Sequence, residues 1–323
     1  MPTIDIHHHI LPDFFWRETN EQHGPVGGIA PPPWSRESAL GFMDDAGIDV
    51  AVTSISTPGV HTGSDRRARS LARRCNELAA GLMQARPDRF GAFACLPLPD
   101  IDGSLAELSY ALDVLKIDGV VLFSNARGVY LGDEKFDAVF EELERRRAVV
   151  FVHPTASPDR AAHTLGLPDS LIDFVADTSR AIAHLHYSNT FARTPNVKYI
   201  FSHARGTIPY LASRFAVVDE MGVIDGAGER GTAAETFRRL YWDTALSWHD
   251  PVLQLLRSVV GIDRVLYGSD YPYLRRDLAI GSREHLARTK ALTDAERTAV
   301  LGDTALKLLP RIGQQQIGRA RNV

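Results

Sequence analysis

The residues whose types and spacing could do chemistry stand at the start of the chain: Ile4, Asp5, Ile6, His7, His8 and His9, followed at once by Ile10, Leu11 and Pro12. Ile4 and Ile6, with β-favouring Thr3, read as a short buried strand, and alternate side chains of a strand face opposite ways. His7 and His9 therefore point to one side. Two imidazoles at that i, i+2 spacing can converge on one divalent ion with bonds of about 2.0–2.1 Å. His8 faces away, towards whatever covers the sheet. An affinity tag is the bland reading of three adjacent histidines, but this run is short and framed by a hydrophobic strand and Pro12.

Three later apolar runs also finish on a ligand-type side chain. Residues 148–154 (AVVFVHP) bring His153, 197–203 (VKYIFSH) bring His203 and 264–270 (RVLYGSD) bring Asp270. These runs belong to a wider alternation. β-rich stretches at 1–9, 49–56, 90–98, 119–125, 148–154, 197–203, 240–246 and 264–270 are separated by helical ones at 35–46, 65–86, 103–115, 134–146, 171–188, 208–221 and 252–260, with more helix within 282–309. Ser35 reads as an N-cap and Gly47 as a helix stop. Strands alternating with helices argue an α/β fold with a parallel sheet, and eight strands close a (β/α)8 TIM barrel.

In such a barrel the carboxyl ends of the strands form the face where active sites are built. His7, His9, His153 and Asp270 would then give three nitrogens and one carboxylate to one ion, leaving a place for water or substrate. A bound dication lowers the pKa of water or polarises a substrate oxygen. His203 is left beside it as acid or base. Singly, each later histidine reads as a buried structural residue; the set carries the inference.

Other residues on that face have two readings each. Asn125 and Arg127 follow strand four, and Arg127 either pairs bidentately with a carboxylate or caps a surface loop. His61, after strand two, is a further substrate contact. Tyr271 and Tyr273 flank Asp270 and could line an aromatic pocket. Asp243 on strand seven either orients a metal-binding histidine or ties down a loop. His163, His184, His186, His249 and His285 have no placement that raises them above surface or helix residues. Residues 13–34, rich in Gly, Pro and aromatics, read as a long loop after strand one and hence a lid-like insertion. Phe14, Phe15 and Trp16 would close over substrate or bury against a second subunit.

With 323 residues, 44% of them hydrophobic and 24% charged, the chain can bury a large core. No repeat or linker divides it, so residues 1–309 read as one domain and 310–323 as a polar, peripheral tail. A net charge of −4 gives no attraction to phosphate backbones, so no nucleic acid partner is expected. Arg66, Arg67, Arg69, Arg73 and Arg74 read as a solvated helix face. Cys75 and Cys95 are too few for a disulfide scaffold and lack paired ligand spacing. With no leader and no apolar run approaching about 20 residues, the expectation is a soluble, cytoplasmic protein without membrane contact.

The opening IDIHHHILP, FVHP at 151–154, SHARGTIP at 202–209 and YGSDYPY at 267–273 resemble, in this order, the amidohydrolase superfamily. Within it they resemble the branch of aminocarboxymuconate-semialdehyde, resorcylate and 6-methylsalicylate decarboxylases. STPGVHTG (56–63), FGAFACLPLPD (90–100) and YALDVLKIDGVVLFSN (110–125) are most similar to the 6-methylsalicylate group. The resemblance implies a homodimer with one divalent ion per site, zinc above all and otherwise manganese or magnesium. It implies non-oxidative loss of carbon dioxide from a small aromatic or muconate acid. Carried over, His7, His9, His153 and Asp270 match metal ligands, and His203 matches the histidine that positions metal-bound water or assists proton transfer.

Strand four ends Phe123, Ser124, Asn125, without the lysine that dinuclear amidohydrolases carbamylate, which disfavours a binuclear hydrolase. The resorcylate-type enzymes carry a glutamate three residues after the strand-six histidine, where this chain has Gly206. Arg205 interrupts the glycine-rich run of the aminocarboxymuconate type, as a carboxylate clamp or a solvent-facing side chain. Three readings follow: an aryl-acid decarboxylase, a mononuclear hydrolase of a lactone or amide, and a non-catalytic metal-binding barrel. Decarboxylation requires protonation of a ring carbon. The expectation is that the ion binds the carboxylate while Asp270, or a group working with His203, delivers the proton.

Overall fold

The computed structural model describes residues 2–20, 28–159, 165–224 and 231–321. Its barrel strands are β1 (Ile4–His9), β2 (Val50–Ser54), β3 (Phe90–Cys95), β4 (Gly119–Phe123), β5 (Val149–His153), β6 (Lys198–Phe201), β7 (Tyr241–Asp243) and β8 (Val265–Leu266). β1, β2, β3 and β5 are buried at every residue, as parallel strands covered on both faces must be. The eight lie side by side in chain order. Ile6 N–H to the Tyr267 carbonyl (2.9 Å), Asp270 N–H to that of His7 (3.0 Å) and His9 N–H to that of Tyr271 (2.7 Å) return the sheet to β1. The expected (β/α)8 TIM barrel is therefore what forms.

Inside it, Phe93 of β3 stacks on Phe151 of β5 with ring centroids 5.5 Å apart, and Phe151 meets the His7 ring edge at 5.0 Å. Each such fully buried side chain contributes about 1.5–3 kcal/mol of transfer free energy. The aromatic layer is thus both core and floor of the site above it.

The last two strands are shorter than their sequence runs. β7 stops at Asp243 because its Oδ1 accepts the N–H of Ala245 (3.0 Å) and turns the chain. At the seam the buried Asp5 carboxylate accepts the N–H of His7 (3.1 Å) and of Ser269 (2.9 Å), in place of regular ladder bonds. Gly268 passes so close to β1 that a Cβ there would lie 2.8 Å from the His7 Cβ.

Ser35 caps the helix Arg36–Ala46 through a reciprocal bond pair with Ser38, and Gly47 ends it at φ 64°. The lid-like loop is corrected over its first part: Asp13–Asn20 is a helix. Phe15 is fully buried, and the Arg74 guanidinium lies 4.3 Å from the centre of the Phe14 ring. These aromatics are anchored to the barrel core, and the helix that bears them is too short to show a helical period in the sequence.

The segment expected as a peripheral tail forms the helix Pro310–Arg321. It buries Ile312, and Arg311 binds Asp118 bidentately at 2.7 and 2.8 Å. On the arginine-rich helix Asp65–Ala85, Arg66 and Arg67 face solvent, but Arg69, Arg73 and Arg74 pair with Asp100, Glu107 and Glu18. Among the described residues no helix is long and apolar enough to cross a membrane.

Candidate metal centre and active site

β1 carries His7 and His9 to the carboxyl-end face with their Nε2 atoms 3.0 Å apart. Asp270, just beyond β8, places Oδ1 3.2 Å from His7 Nε2 and 3.4 Å from His9 Nε2. The His153 ring at the end of β5 is centred 5.1 Å from that of His7 and 4.9 Å from that of His9. His203, after β6, brings Nε2 within 3.7 Å of Asp270 Oδ2. All five residues singled out in the sequence thus meet in one buried cluster. One ligand atom from each of His7, His153, His203 and Asp270 lies within 4.8 Å of the others. That group takes in His203 and leaves out His9, although His9 Nε2 is 3.0 Å from His7 Nε2 and 3.4 Å from Asp270 Oδ1.

The rings are oriented from behind. Asp243 Oδ2 lies 2.6 Å from His7 Nδ1, which makes Nδ1 the donor and leaves the Nε2 lone pair facing the cluster. His153 Nδ1 donates to the Pro154 carbonyl at 2.7 Å with the same effect. The second oxygen of Asp243 accepts the backbone N–H of His203 at 2.8 Å, so one carboxylate positions two of the five. His203 and Asp270 both have left-handed backbone, φ 53° and 57°. Side-chain-bearing residues persist there only when their surroundings hold them. Gly206 completes the turn after His203 at φ 63°, and a Cβ on it would lie 2.0 Å from the Val175 carbonyl oxygen.

Burial opposes a charge on His7, but Asp243 and Asp270 outweigh it and push its pKa up to about 10. Burial pushes His9 down, and pushes His153 well below the ordinary range with help from the neighbouring imidazoles. Burial would raise Asp270, yet His7, His203 and His9 hold it well below the usual carboxylate range. Two imidazole Nε2 atoms 3.0 Å apart can share a proton between them or, once it is displaced, a metal ion, and the buried carboxylate beside them favours positive charge there. Nitrogen and oxygen donors with one carboxylate suit a single dication such as zinc or manganese.

A cavity of about 440 Å³ opens in front of His153, His203 and Asp270, with Phe174, Leu246 and Leu274 on its apolar side. Tyr273 lines it, its ring edge-on to His9 at 5.5 Å. Tyr271, expected there, does not. It continues the pairing with His8 and stacks between Phe42 (4.4 Å) and His8 (4.7 Å), behind the strand.

Asn125, Arg127 and His61 do not line this cavity either; they line a neighbouring one of about 450 Å³. Asn125 donates to Asp177 (3.0 Å) and to the Ala156 carbonyl (3.1 Å). His61 is tied to Asp65 at 2.8 Å. The Arg205 side chain and His163 lie outside the described residues.

Sequence reasoning missed Asp5 and the cavity wall from the helix Asp173–Tyr187. An acid between Ile4 and Ile6 in a buried strand was a usable signal for the first. Nothing local marks Phe174, whose role arises from how that helix sits over the barrel mouth.

Residues 4–311 match the amidohydrolase family, and the chain belongs to it. It is 38% identical over 291 residues to decarboxylase macB of Penicillium terrestre, covering 84% of this chain and 85% of that one. It is 35% identical over 320 residues to the 6-methylsalicylic acid decarboxylase acuB of Aspergillus aculeatus, covering 96% of each. The 5-carboxyvanillate decarboxylase of Novosphingobium aromaticivorans, solved with manganese and 4-hydroxy-3-methoxy-5-nitrobenzoic acid, has the same fold. It aligns at a TM-score of 0.84 and 22% identity over 96% of both chains.

Proposed function

We propose that this protein is a metal-dependent, non-oxidative decarboxylase of a small aromatic acid of the hydroxybenzoate or 6-methylsalicylate type. The observation that carries this is the meeting of His7, His153, His203 and Asp270 at the head of a cavity sized for one substituted ring, in a chain similar over its length to 6-methylsalicylic acid decarboxylase. His7, His9, His153 and Asp270 would hold one dication, which when bound supplies positive charge for the substrate carboxylate and for electron density developing on the ring. Zinc is the ion expected, and the manganese of the 5-carboxyvanillate enzyme supports manganese as the alternative.

The reaction adds a proton to the ring carbon bearing the carboxylate, breaks the bond to the carboxyl carbon and returns its electron pair to the ring. The chain must supply that proton. Asp270 is held ionised and is a poor source on its own. His203 lines the cavity with its Nε2 3.7 Å from Asp270 Oδ2, which places it to pass a proton to a ring bound there. His203 therefore carries the proton and Asp270 anchors it. The second oxygen of the anchor faces His7 and His9, so proton delivery and carboxylate binding share one side chain.

The test is carbon dioxide release from a panel of salicylates and resorcylates, with and without chelator, and with lactone and ester cleavage followed in parallel. Chelator-sensitive release supports the proposal. Cleavage without decarboxylation replaces it with the hydrolase reading, which no feature of the site favours. The homodimer is proposed too, supported by Tyr210, Val217 and Met221, exposed along the helix Ile208–Met221; sedimentation tests it. A cytoplasmic location is supported by the buried free thiols of Cys75 and Cys95.

A further inference from the structure

The cavity beside the metal centre is as large as the one in front of it and meets it at Thr57, which lines both. The Thr57 hydroxyl is bonded to that of Thr155 at 2.8 Å, and this pair stands where the two spaces adjoin. The floor is apolar, made by Leu96, Leu98, Val121 and Leu122 at the ends of β3 and β4. The rim carries Arg127, which has no hydrogen-bond or ion-pair partner among the described residues.

The element bearing Arg127 is built for rigidity. Arg127 and Gly128 form the two-residue turn of the hairpin Asn125–Ala126 with Val129–Tyr130, both at positive φ, 51° and 88°. Positive φ at a non-glycine residue is unfavourable and must be held. Asn125 Oδ1 accepts the Gly128 N–H at 3.0 Å, and the buried Asp177 accepts from Asn125 Nδ2 (3.0 Å) and from the Tyr130 hydroxyl (2.5 Å), pinning both strands. An uncompensated guanidinium carried on this pinned turn at the rim of an apolar hollow can recognise a planar ring with one carboxylate.

We propose that this second cavity is a binding site for a small aromatic monocarboxylate, with the ring on the floor and the carboxylate on Arg127, separate from the metal centre. The choice of an aromatic acid rests on the decarboxylase reading; the cavity and its arginine do not. Such a site holds an acid next to the catalytic cavity, one wall away from the ion.

Benzoate is the probe, titrated calorimetrically into the metal-loaded protein and again after chelator has removed the ion. The expected result is a benzoate site that survives chelation. Arg127→Gln should weaken it at least about tenfold, the loss of hydrogen bonds to a charged group. Ala126→Phe, which fills the hollow from its rim, should abolish it, and phenol, lacking the carboxylate, should not compete. Unchanged melting temperatures show that the variants fold. Absence of chelator-insensitive binding in the parent protein, or its survival in Arg127→Gln, overturns the proposal. A protein that binds benzoate in this way but releases no carbon dioxide overturns only the decarboxylase reading.

Discussion

Asp243 Oδ2 lies 2.6 Å from His7 Nδ1, between two side chains that are both completely buried. An aspartate there fixes which nitrogen of His7 bears the proton, and an asparagine would not. Its amide group would donate towards Nδ1 and drive the proton to Nε2, the nitrogen needed by an ion. Asp243→Asn should therefore lower metal affinity by roughly 10–100-fold, the usual effect of losing an outer-shell carboxylate. Metal content after dialysis against buffered zinc or manganese measures it, and undiminished affinity would remove Asp243 from this role.

Asp270→Asn tests the chemistry itself. It removes the charge that faces His7, His9 and His203 while keeping the shape. Carbon dioxide release should fall by at least about a thousandfold, within the range of general acid–base effects, with the circular dichroism spectrum unchanged. Retained turnover would place the reaction elsewhere.

Metal affinity should rise with pH. In the ion-free protein His7 keeps its proton up to about 10, whereas its ordinary value is 6.5. An ion can reach Nε2 only by displacing that proton, so between pH 6.5 and about 10 the logarithm of affinity should climb by about one per pH unit. The same raised value stabilises the ion-free fold fully below pH 6.5, and this contribution is lost as pH rises through about 10. Chelated protein should lose melting temperature over that window, and metal-loaded protein should not lose it by this route. Thermal scans of both forms decide.

Gly206→Ala should harm both fold and activity. The added Cβ would lie 2.0 Å from the Val175 carbonyl oxygen, and the backbone is at φ 63°. Strain of this kind costs about 1–3 kcal/mol. The displaced turn carries His203, so kcat should fall more than KM rises; a variant with parental melting temperature and kcat would show that the turn has room.

The barrel was legible because its signal is repeated: one apolar run and one amphipathic helix, eight times over. The five clustered residues were legible because each ends or follows such a run, as His153 and Asp270 do. Tyr271 and Tyr273 were not separable, since which of two residues faces a cavity depends on where pairing to His8 stops. Arg127, Asn125 and His61 lie on the expected face but line the neighbouring cavity rather than the one before Asp270, a division the sequence does not show because the Thr57–Thr155 contact joins residues 98 apart. The helix at Asp13–Asn20 was hidden by its shortness, and its aromatics suggested a cover where they form an anchor.

The seam between β1 and β8 joins residues 7 and 270, so two parts of the proposed ion site are synthesised at opposite times. A chain still emerging from the ribosome can display the His7–His9 pair long before Asp270 exists. The carboxylate of the proposed ion site thus arrives only with the last stave, and truncation upstream of Asp270 should remove both it and the contacts that close the ring onto β1.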